Sequence, residues 1–574
     1  MKRLLTLLRV SALVVCLIAG ICLGTNQLKP PKVTNLPDEV FKPLSEAESG
    51  MDFQLMLSDL KIMSSQVHSV DSPGIRITQG HIMSRAKELG YEAVSETHAL
   101  SMDKIFSLLK NWTDYRNRPF DFTEEFVREY SGIGDKPNMV LNNILILLDA
   151  PDTEETILFM AHTDSVIMGP GTFDDTVSCA ALLEGMRLLK DQPLKRDLLF
   201  LFTDGEEQGL LGALKYVEDH PEMKEKVRLV INTEARGNRG SLIMFETSDN
   251  NLNIVRAYQK AVPFPVSFSI ATAVYRSMEN DTDLTAFLME GYPGMNSACI
   301  EGFEVYHTEN DNYETFSRDS AAHYMTSLVG LTHYFATAEN LELEADQDAV
   351  FFPFLPGNLV VMPESTASLI SYIIGILGLI LILSLVVQKK ARPMRVLTGF
   401  IVQLLLIAVV FFITKGLVEL LSQALNLKDY RTFLKFGSGE PVFIGLLLLI
   451  SLGVFFIIDR FRPLGTSSLE KAAGIMLLPT ALSLALPSLF PSASYLFSAL
   501  ALMMGLVILF HQVWPQSADV LTPLAVILVC LLFVPIIYLV FVALSLLSAH
   551  LPIALAVIPL SAVFSLALLN KNHP

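Results

Sequence analysis

Hydrophobic and polar positions follow two different rules along this chain. From about residue 30 to 350, apolar positions come in short runs broken by polar and acidic residues. From about 366 to 570, Leu, Ile, Val, Ala and Phe run with little interruption. In the first stretch, NNILILLDA, ETILFMAH, RDLLFLFTDG and VRLVINTEA have the continuous hydrophobicity of strands buried on both faces. Helical patterns lie between them, DTVSCAALLEGMRLLK and QGLLGALKYVEDH, the second closed by Pro221. Strands alternating with helices predict an α/β three-layer sandwich around a mostly parallel sheet. In the second stretch, apolar spans near 366–387, 396–415, 442–458, 472–489, 494–512, 520–544 and 550–568 reach the length of about 20 residues that crosses a bilayer.

The first residues add one more apolar run. Lys2, Arg3 and Arg9 precede a segment that stays apolar to about Leu23. LGTNQLKPPK, which follows, is a poor small-x-small cleavage site, so the run reads as a retained signal anchor rather than a cleaved signal peptide. The expected organisation is an anchor helix at 1–27, a polar domain at 28–345, a stiff Pro-containing connector at 346–365 and a membrane domain of about seven helices at 366–570. Lys389, Lys390, Arg392 and Arg395 lie between two spans, and Arg460, Arg462 and Lys471 between two others. Both loops read as cytoplasmic. Counting alternately, the polar domain and the 426–441 loop fall outside the cytoplasm and the C-terminal NKNHP inside.

Charge and cysteine content narrow the function. A net charge of −17, carried mainly by the polar stretch, argues against nucleic acid, because phosphate neutralisation needs clustered Lys and Arg. Only Cys179 and Cys299 lie in the polar stretch, and two cysteines so far apart are no disulfide framework. They read as buried free thiols.

Metal-binding side chains recur in the polar stretch where strands end, which is where open α/β sheets place ligands. MAHTDSV puts His162 and Asp164 two apart, hence on one face of an extended segment. His162 suits a metal, with Asp164 accepting the other ring N–H. Taken alone, the pair could equally be a surface histidine beside an aspartate. GTFDD carries Asp174 and Asp175 before a helix, and an aspartate there also serves as an ordinary N-cap. FTDGEEQGLLGA sets Glu206 beside Glu207 between Gly205 and Gly209. Adjacent carboxylates repel unless a cation or proton lies between them. One can bind a metal and the other take a proton from the metal's water. INTEARG adds Glu234 and VYHTENDNYE adds His307, each unremarkable alone. Together, in this order, they point to metal-assisted hydrolysis of a peptide-like bond.

The motifs HTDS, FDDTVSCAALLE, FTDGEEQGLLGA, NTEARG and YHTENDNYE, with NDTDLTAF at 280–287, resemble the zinc aminopeptidase family of the co-catalytic two-zinc exopeptidase clan. The polytopic C-terminal half and the glutamate at 234 resemble its membrane-embedded branch, which includes endoplasmic reticulum metallopeptidases and vacuolar membrane proteases. The resemblance implies two Zn2+ per chain. Asp174 would bridge them, with a cis peptide to Asp175. His162 and Glu234 would complete one metal, and Glu207 and His307 the other. Glu206 would be the general base, Asp164 the carboxylate that orients His162, and Tyr306 a hydrogen-bond donor to the oxyanion. Arg276 or Arg236 would face the substrate. The implied substrates are peptides with a free N-terminus, and the implied setting is a lipid bilayer. Two rival readings remain: a catalytically silent peptidase-fold receptor, which would need missing ligands, and a sensor or transporter with a peptide-binding ectodomain. A glutaminyl cyclase on the same fold is disfavoured by His162.

Overall fold

The computed structural model describes residues 2–32, 50–151, 153–278, 280–428, 439–460 and 466–569. Most of the 426–441 loop, Arg462 and the final NKNHP lie outside the described residues. The chain divides into two compact units. One comprises 29–348 with 357–359, and the other comprises 1–28, 349–356 and 360–574.

The first unit is built on a seven-stranded sheet of order β1-β2-β4-β3-β5-β7-β6. The strands are β1 (Ala93–Ser101), β2 (Asn138–Leu148), β3 (Thr156–His162), β4 (Asp197–Thr203), β5 (Val227–Ala235), β6 (Ile243–Thr247) and β7 (Gly294–Cys299). The central strands β4, β3, β5 and β7 run parallel, while β1, β2 and β6 pair antiparallel. A mostly parallel sheet is therefore present, with one difference from expectation. The run NNILILLDA forms β2, which opposes β4 in direction and alternates between buried and exposed positions along its length. A short apolar run specifies a strand but not the direction of its neighbour.

β3 is buried at every position, as a strand covered on both faces must be. Phe159 on β3 stacks on Phe200 of β4 with ring centroids 5.4 Å apart. Over one face, the helix Val177–Leu189 packs against the helix Arg318–Thr337. Their approach is close enough that a Cβ on Gly185 would stand 2.7 Å from the Thr332 hydroxyl. The helix Leu211–Asp219 follows the Glu206–Glu207 turn and joins the core on the other side of the chain's central strands. Cys179 and Cys299 are buried free thiols.

Among the described residues, the second unit contains seven helices long and apolar enough to cross a membrane: Glu364–Val387, Pro393–Leu425, Glu440–Arg460, Ser468–Leu489, Ser494–Val513, Ala518–Leu544 and His550–Ala567. The helix Lys2–Asn26 belongs to the same unit and packs on Ala518–Leu544. There, Cβ atoms on Gly20 and Gly24 would each come within 2.8 Å of Cys530. Close approach through glycine is a recurrent way for apolar helices to associate where burial from water gives no drive. The segment expected to be a connector is not a simple spacer. Ala349–Leu355 and Asn358–Pro363 pair as a two-stranded sheet around the Pro356–Gly357 turn.

Candidate metal centre

The carboxyl ends of β3, β4 and β5 meet at one point in the first unit, and each delivers a ligating side chain there. His162 is the last residue of β3, and Glu234 sits near the end of β5. Asp174 comes from the loop before Val177–Leu189, Glu206 and Glu207 from the turn after β4, and His307 from the loop beyond β7.

Asp174 faces two ways. Its Oδ1 lies 3.4 Å from His162 Nε2 and its Oδ2 lies 3.4 Å from His307 Nε2. Glu234 Oε2 is 3.4 Å from His162 Nε2, and Glu207 Oε2 is 3.0 Å from His307 Nε2. Two ligand groups result, His162–Asp174–Glu234 and Asp174–Glu207–His307, each with its donor atoms within 4.8 Å of one another. Neither Nε2 makes a hydrogen bond among the described residues, although both are buried. Two bonds of about 2.0–2.2 Å meeting at a tetrahedral angle hold their donors about 3.3–3.6 Å apart. The observed 3.0–3.4 Å separations match that spacing closely. The donor set therefore fits two metal ions that share Asp174.

Electrostatics point the same way. Burial alone would lower the pKa of His307, but Glu207 and Asp174 outweigh it and lift the imidazole to about 10. Burial likewise opposes charge on His162, and Glu234 with Asp164 and Asp174 carry it well above its ordinary value. Burial would raise Asp174, yet the two imidazoles that face it, His162 and His307, hold it down to about 2. This pocket calls for positive charge beyond what its own side chains bring.

The backbone fixes the ligands. The loop of Asp174 is held by Asp311, whose carboxylate accepts from Phe173 N at 2.9 Å and Asp174 N at 3.1 Å. Gly171 has φ +53°, and a Cβ on it would stand 2.5 Å from the Asp174 carbonyl oxygen, so no side chain fits. The Asp174–Asp175 peptide is cis, and Asp175 accepts from the Ser178 hydroxyl. His307 itself has φ +56°, a left-handed conformation uncommon for a residue with a side chain. Gly205 and Gly209 supply positive φ on either side of Glu206 and Glu207.

Asp164 does something other than expected. His162 Nδ1 reaches the backbone carbonyl of Asp164 at 2.9 Å, while the carboxylate stands at 3.5 Å. The Asp164 carboxylate accepts instead from Glu206 N at 3.1 Å and Glu207 N at 3.2 Å. It thereby ties the end of β3 to the two acids after β4.

Glu206 borders a cleft of about 270 Å³ next to the ligands. Part of its surface meets the cleft, but protein encloses its carboxyl. Burial first, and then the charge of Glu234, push its pKa well above the ordinary carboxylate range. Tyr306 also lines the cleft and stacks on His307 with centroids 3.7 Å apart. Burial, with Asp174 and Glu207 next, keeps its phenol protonated.

Arg276 and Arg236 are not brought to the cleft. Arg276 is half exposed and pairs with Asp249 at 3.3 Å. Arg236 lies over the Phe303 ring, 4.6 Å from its centroid. Sequence reasoning missed Asp311, Tyr130 and the aromatic wall of the cleft. Tyr130 Oη approaches His307 Nδ1 at 3.5 Å. Phe122, Phe126 and Tyr130 are spaced four apart, a one-face helical pattern that could have flagged them.

Known proteins resemble part of this chain. Residues 143–331 match Peptidase family M28. The chain is 30% identical over 282 residues to "Endoplasmic reticulum metallopeptidase 1" of Mus musculus, covering 48% of this chain and 30% of that protein. It is 27% identical over 324 residues to "Vacuolar membrane protease" of Yarrowia lipolytica, covering 54% and 32%. The matches thus span about a third of the length of these curated relatives. Among solved structures, an aminopeptidase from Aneurinibacillus sp. strain AM-1 aligns at 14% identity and a TM-score of 0.41, over 54% of this chain and 98% of that one.

Proposed function

We propose that this chain, which carries a peptidase family M28 domain in residues 143–331, is a membrane-bound zinc aminopeptidase that removes N-terminal residues from peptides. The observation that carries the reading is the Asp174 carboxylate, whose two oxygens face two different imidazoles, each accompanied by its own glutamate. His162, Asp174 and Glu234 would hold one zinc, and Asp174, Glu207 and His307 the other. Zinc bound there would lower the pKa of a nearby water and polarise the scissile carbonyl.

The chain's own groups then have separate tasks. Glu206, not needed as a ligand, takes the proton of the attacking water and passes it to the leaving amine. Asp164 holds Glu206 and Glu207 in place through their backbone N–H groups. Tyr306, kept protonated, donates to the oxygen that gains charge on the substrate. The excess of carboxylates around the cleft favours a substrate α-ammonium over a terminal carboxylate. The silent-receptor reading would need a gap in the ligand set, and all five residues converge.

The test is metal analysis of the purified full chain together with hydrolysis of peptides that have free and acetylated N-termini. Two zincs per chain and cleavage confined to free N-termini are expected. Equal cleavage of acetylated peptides would reject aminopeptidase action. The basic residues at 389–395 support a peptidase domain outside the cytoplasm. In single-cysteine variants, a thiol at Asn340 should react with impermeant reagent from the outside and one at Arg392 should not. The reverse pattern would overturn the orientation.

A further inference from the structure

We propose that Tyr324 and Asn296 are positioning residues for Glu234: they set where this side chain stands and which of its oxygens is left for a metal. The inference rests on the reading of His162, Asp174 and Glu234 as one metal site.

Tyr324 works through the backbone. It lies on the helix Arg318–Thr337 and is fully buried. Its hydroxyl accepts from Cys299 N at 2.9 Å and donates to the Glu234 carbonyl at 2.5 Å. It therefore bridges β5 and β7 where their ladder ends, at Ala235 opposite Cys299. Its ring meets Phe173 edge-on, with centroids 5.4 Å apart. Phe173 precedes Asp174, so one side chain stands behind two of the three residues in this group.

Asn296 works through side chains. Glu246 on β6, Asn296 on β7 and Asn232 on β5 stand opposite one another across three strands. Their side chains share one face, and so does Glu234, two residues beyond Asn232. Asn296 Nδ2 donates to Glu246 Oε2 at 3.3 Å and to Thr282 Oγ1 at 2.7 Å. Its Oδ1 accepts from Asn232 Nδ2 at 3.1 Å, and Asn232 Nδ2 reaches Glu234 Oε1 at 3.5 Å, the longest step of the row. An amide can point either way. Here the acceptor at Glu246 draws the Asn296 N–H groups, which turns the Asn296 oxygen to Asn232 and the Asn232 N–H groups to Glu234. Glu234 Oε1 is thereby occupied, and Oε2 is the oxygen that faces His162.

The sheet is distorted to make this row. β6 sets Met244 opposite Ser297 and Glu246 opposite Asn296, so Phe245 is an extra residue, a β-bulge. A regular ladder would put Phe245 against Asn296. The bulge brings an acid there instead, and Glu246 is buried. Bulges beside active sites re-aim side chains in this way. Burying a carboxyl is costly unless it is bonded, and the bond made here leads to Glu234.

The test uses zinc-loaded full-length protein and competition with a chelator that counts the metals removed. Tyr324→Phe keeps the ring on Phe173 and removes only the hydroxyl. Asn296→Leu keeps the volume and removes the amide. In each, one of the two zincs should be lost first and bind about 10–100-fold more weakly, the usual effect of removing a group that orients a ligand. Cobalt(II) in the same proteins should show a changed absorption for one ion only. Glu246→Gln keeps an oxygen for Asn296 and should hold both metals as wild type does, whereas Glu246→Leu should behave as Asn296→Leu. Wild-type zinc retention in Tyr324→Phe or in Asn296→Leu overturns the proposal. So does equal weakening of both metals, or equal retention in Glu246→Gln and Glu246→Leu, either of which assigns these residues to packing alone. A crystal structure of zinc-loaded wild type needs no variant to fold. Glu234 bound through one oxygen, with the other on the Asn232 amide, sustains the inference, and chelation through both oxygens overturns it. Failure of the metal reading itself is distinguishable, because wild type would then retain no zinc.

Discussion

The two units of this chain bury polar groups in opposite ways. In the unit built on the seven-stranded sheet, His162, Asp164, Asp174, Asp175 and Glu234 are all buried and grouped around one point, with Asp204, Asp283 and Asp311 close behind. In the helical unit, buried polar residues such as Ser371, Gln403, Thr414, Ser422 and Ser483 are mostly neutral and spread along the helices. Glycines there are pressed against neighbours: Gly375 on Leu484, Gly378 on Thr480, and Gly399 on Gly474. Burying like charges together is expensive unless something compensates them, so the first pattern marks chemistry. Neutral hydroxyls and close glycines cost little and mark helix packing. Damage to the first unit should therefore appear as lost metal and lost turnover, and damage to the second as lost stability.

Asp174→Ala gives the sharpest form of that contrast. It removes the one carboxylate that, among the described residues, faces both imidazoles, so bound metal and all measurable hydrolysis should be lost together. Elemental analysis that still finds two zincs per chain would break the assignment. Glu206→Gln comes next. It keeps every proposed ligand and removes the proton carrier, so zinc content should hold while kcat falls about 10²–10⁴-fold. Turnover at the wild-type level would take Glu206 out of the reaction.

What the sequence could and could not foretell follows the same division. His162, Glu206, Glu207 and Glu234 stood out as candidates because each lies at or just after the end of an apolar run, whereas Asp174 and His307 come from loops and stood out only by their motifs. The seven apolar spans were legible for the plain reason that length and hydropathy decide them. The grip of Asp311 on the loop of Asp174, 137 positions away, was not, since nothing local announces a contact made across the fold. The direction of β2, the turn of the Asp164 carboxylate toward Glu206 and Glu207, and the placement of Arg276 are likewise set by partners distant in sequence.

Gly474→Leu probes the helical unit. A Cβ there would stand 2.5 Å from the Val396 carbonyl oxygen and 2.9 Å from Gly399 Cα, with backbone on both sides and no flexible side chain to yield. Overpacking of this kind costs about 1–3 kcal/mol. The melting temperature of the full chain should drop while the protein that stays folded keeps its zinc. Metal loss at unchanged melting temperature would contradict the division between the units.

A smaller effect is expected from His323, which lies away from the metal ligands. Its Nδ1 accepts from Leu242 N at 3.1 Å and its Nε2 donates to the Phe264 carbonyl at 3.0 Å, so it is buried as the neutral ring. Burial lowers its pKa to about 4. The folded state then resists a proton that the unfolded chain takes up near 6.5. The stability it contributes is present above 6.5 and is lost as pH falls toward 4, by at most about 1.4 kcal/mol per pH unit. Unfolding of wild type and His323→Gln, compared from pH 7 to 4.5, should converge as pH falls. Parallel curves would mean that the ring is charged in the fold.

The smallest effect should come from Arg276→Ala. Arg276 was one of two arginines expected from the sequence to face the substrate. In the fold it ends the short helix Ala271–Arg276, stays half exposed and pairs with an exposed Asp249 at 3.3 Å. An ion pair of that kind contributes about 0–1 kcal/mol, because solvent screens it and two long side chains must be ordered to form it. Its loss should leave zinc content and kcat/KM within about twofold of wild type and shift stability by less than the Gly474 variant does. A tenfold rise in KM would instead mean that substrate extends beyond the aromatic cleft to this helix, and the boundary drawn around the site would have to move outward.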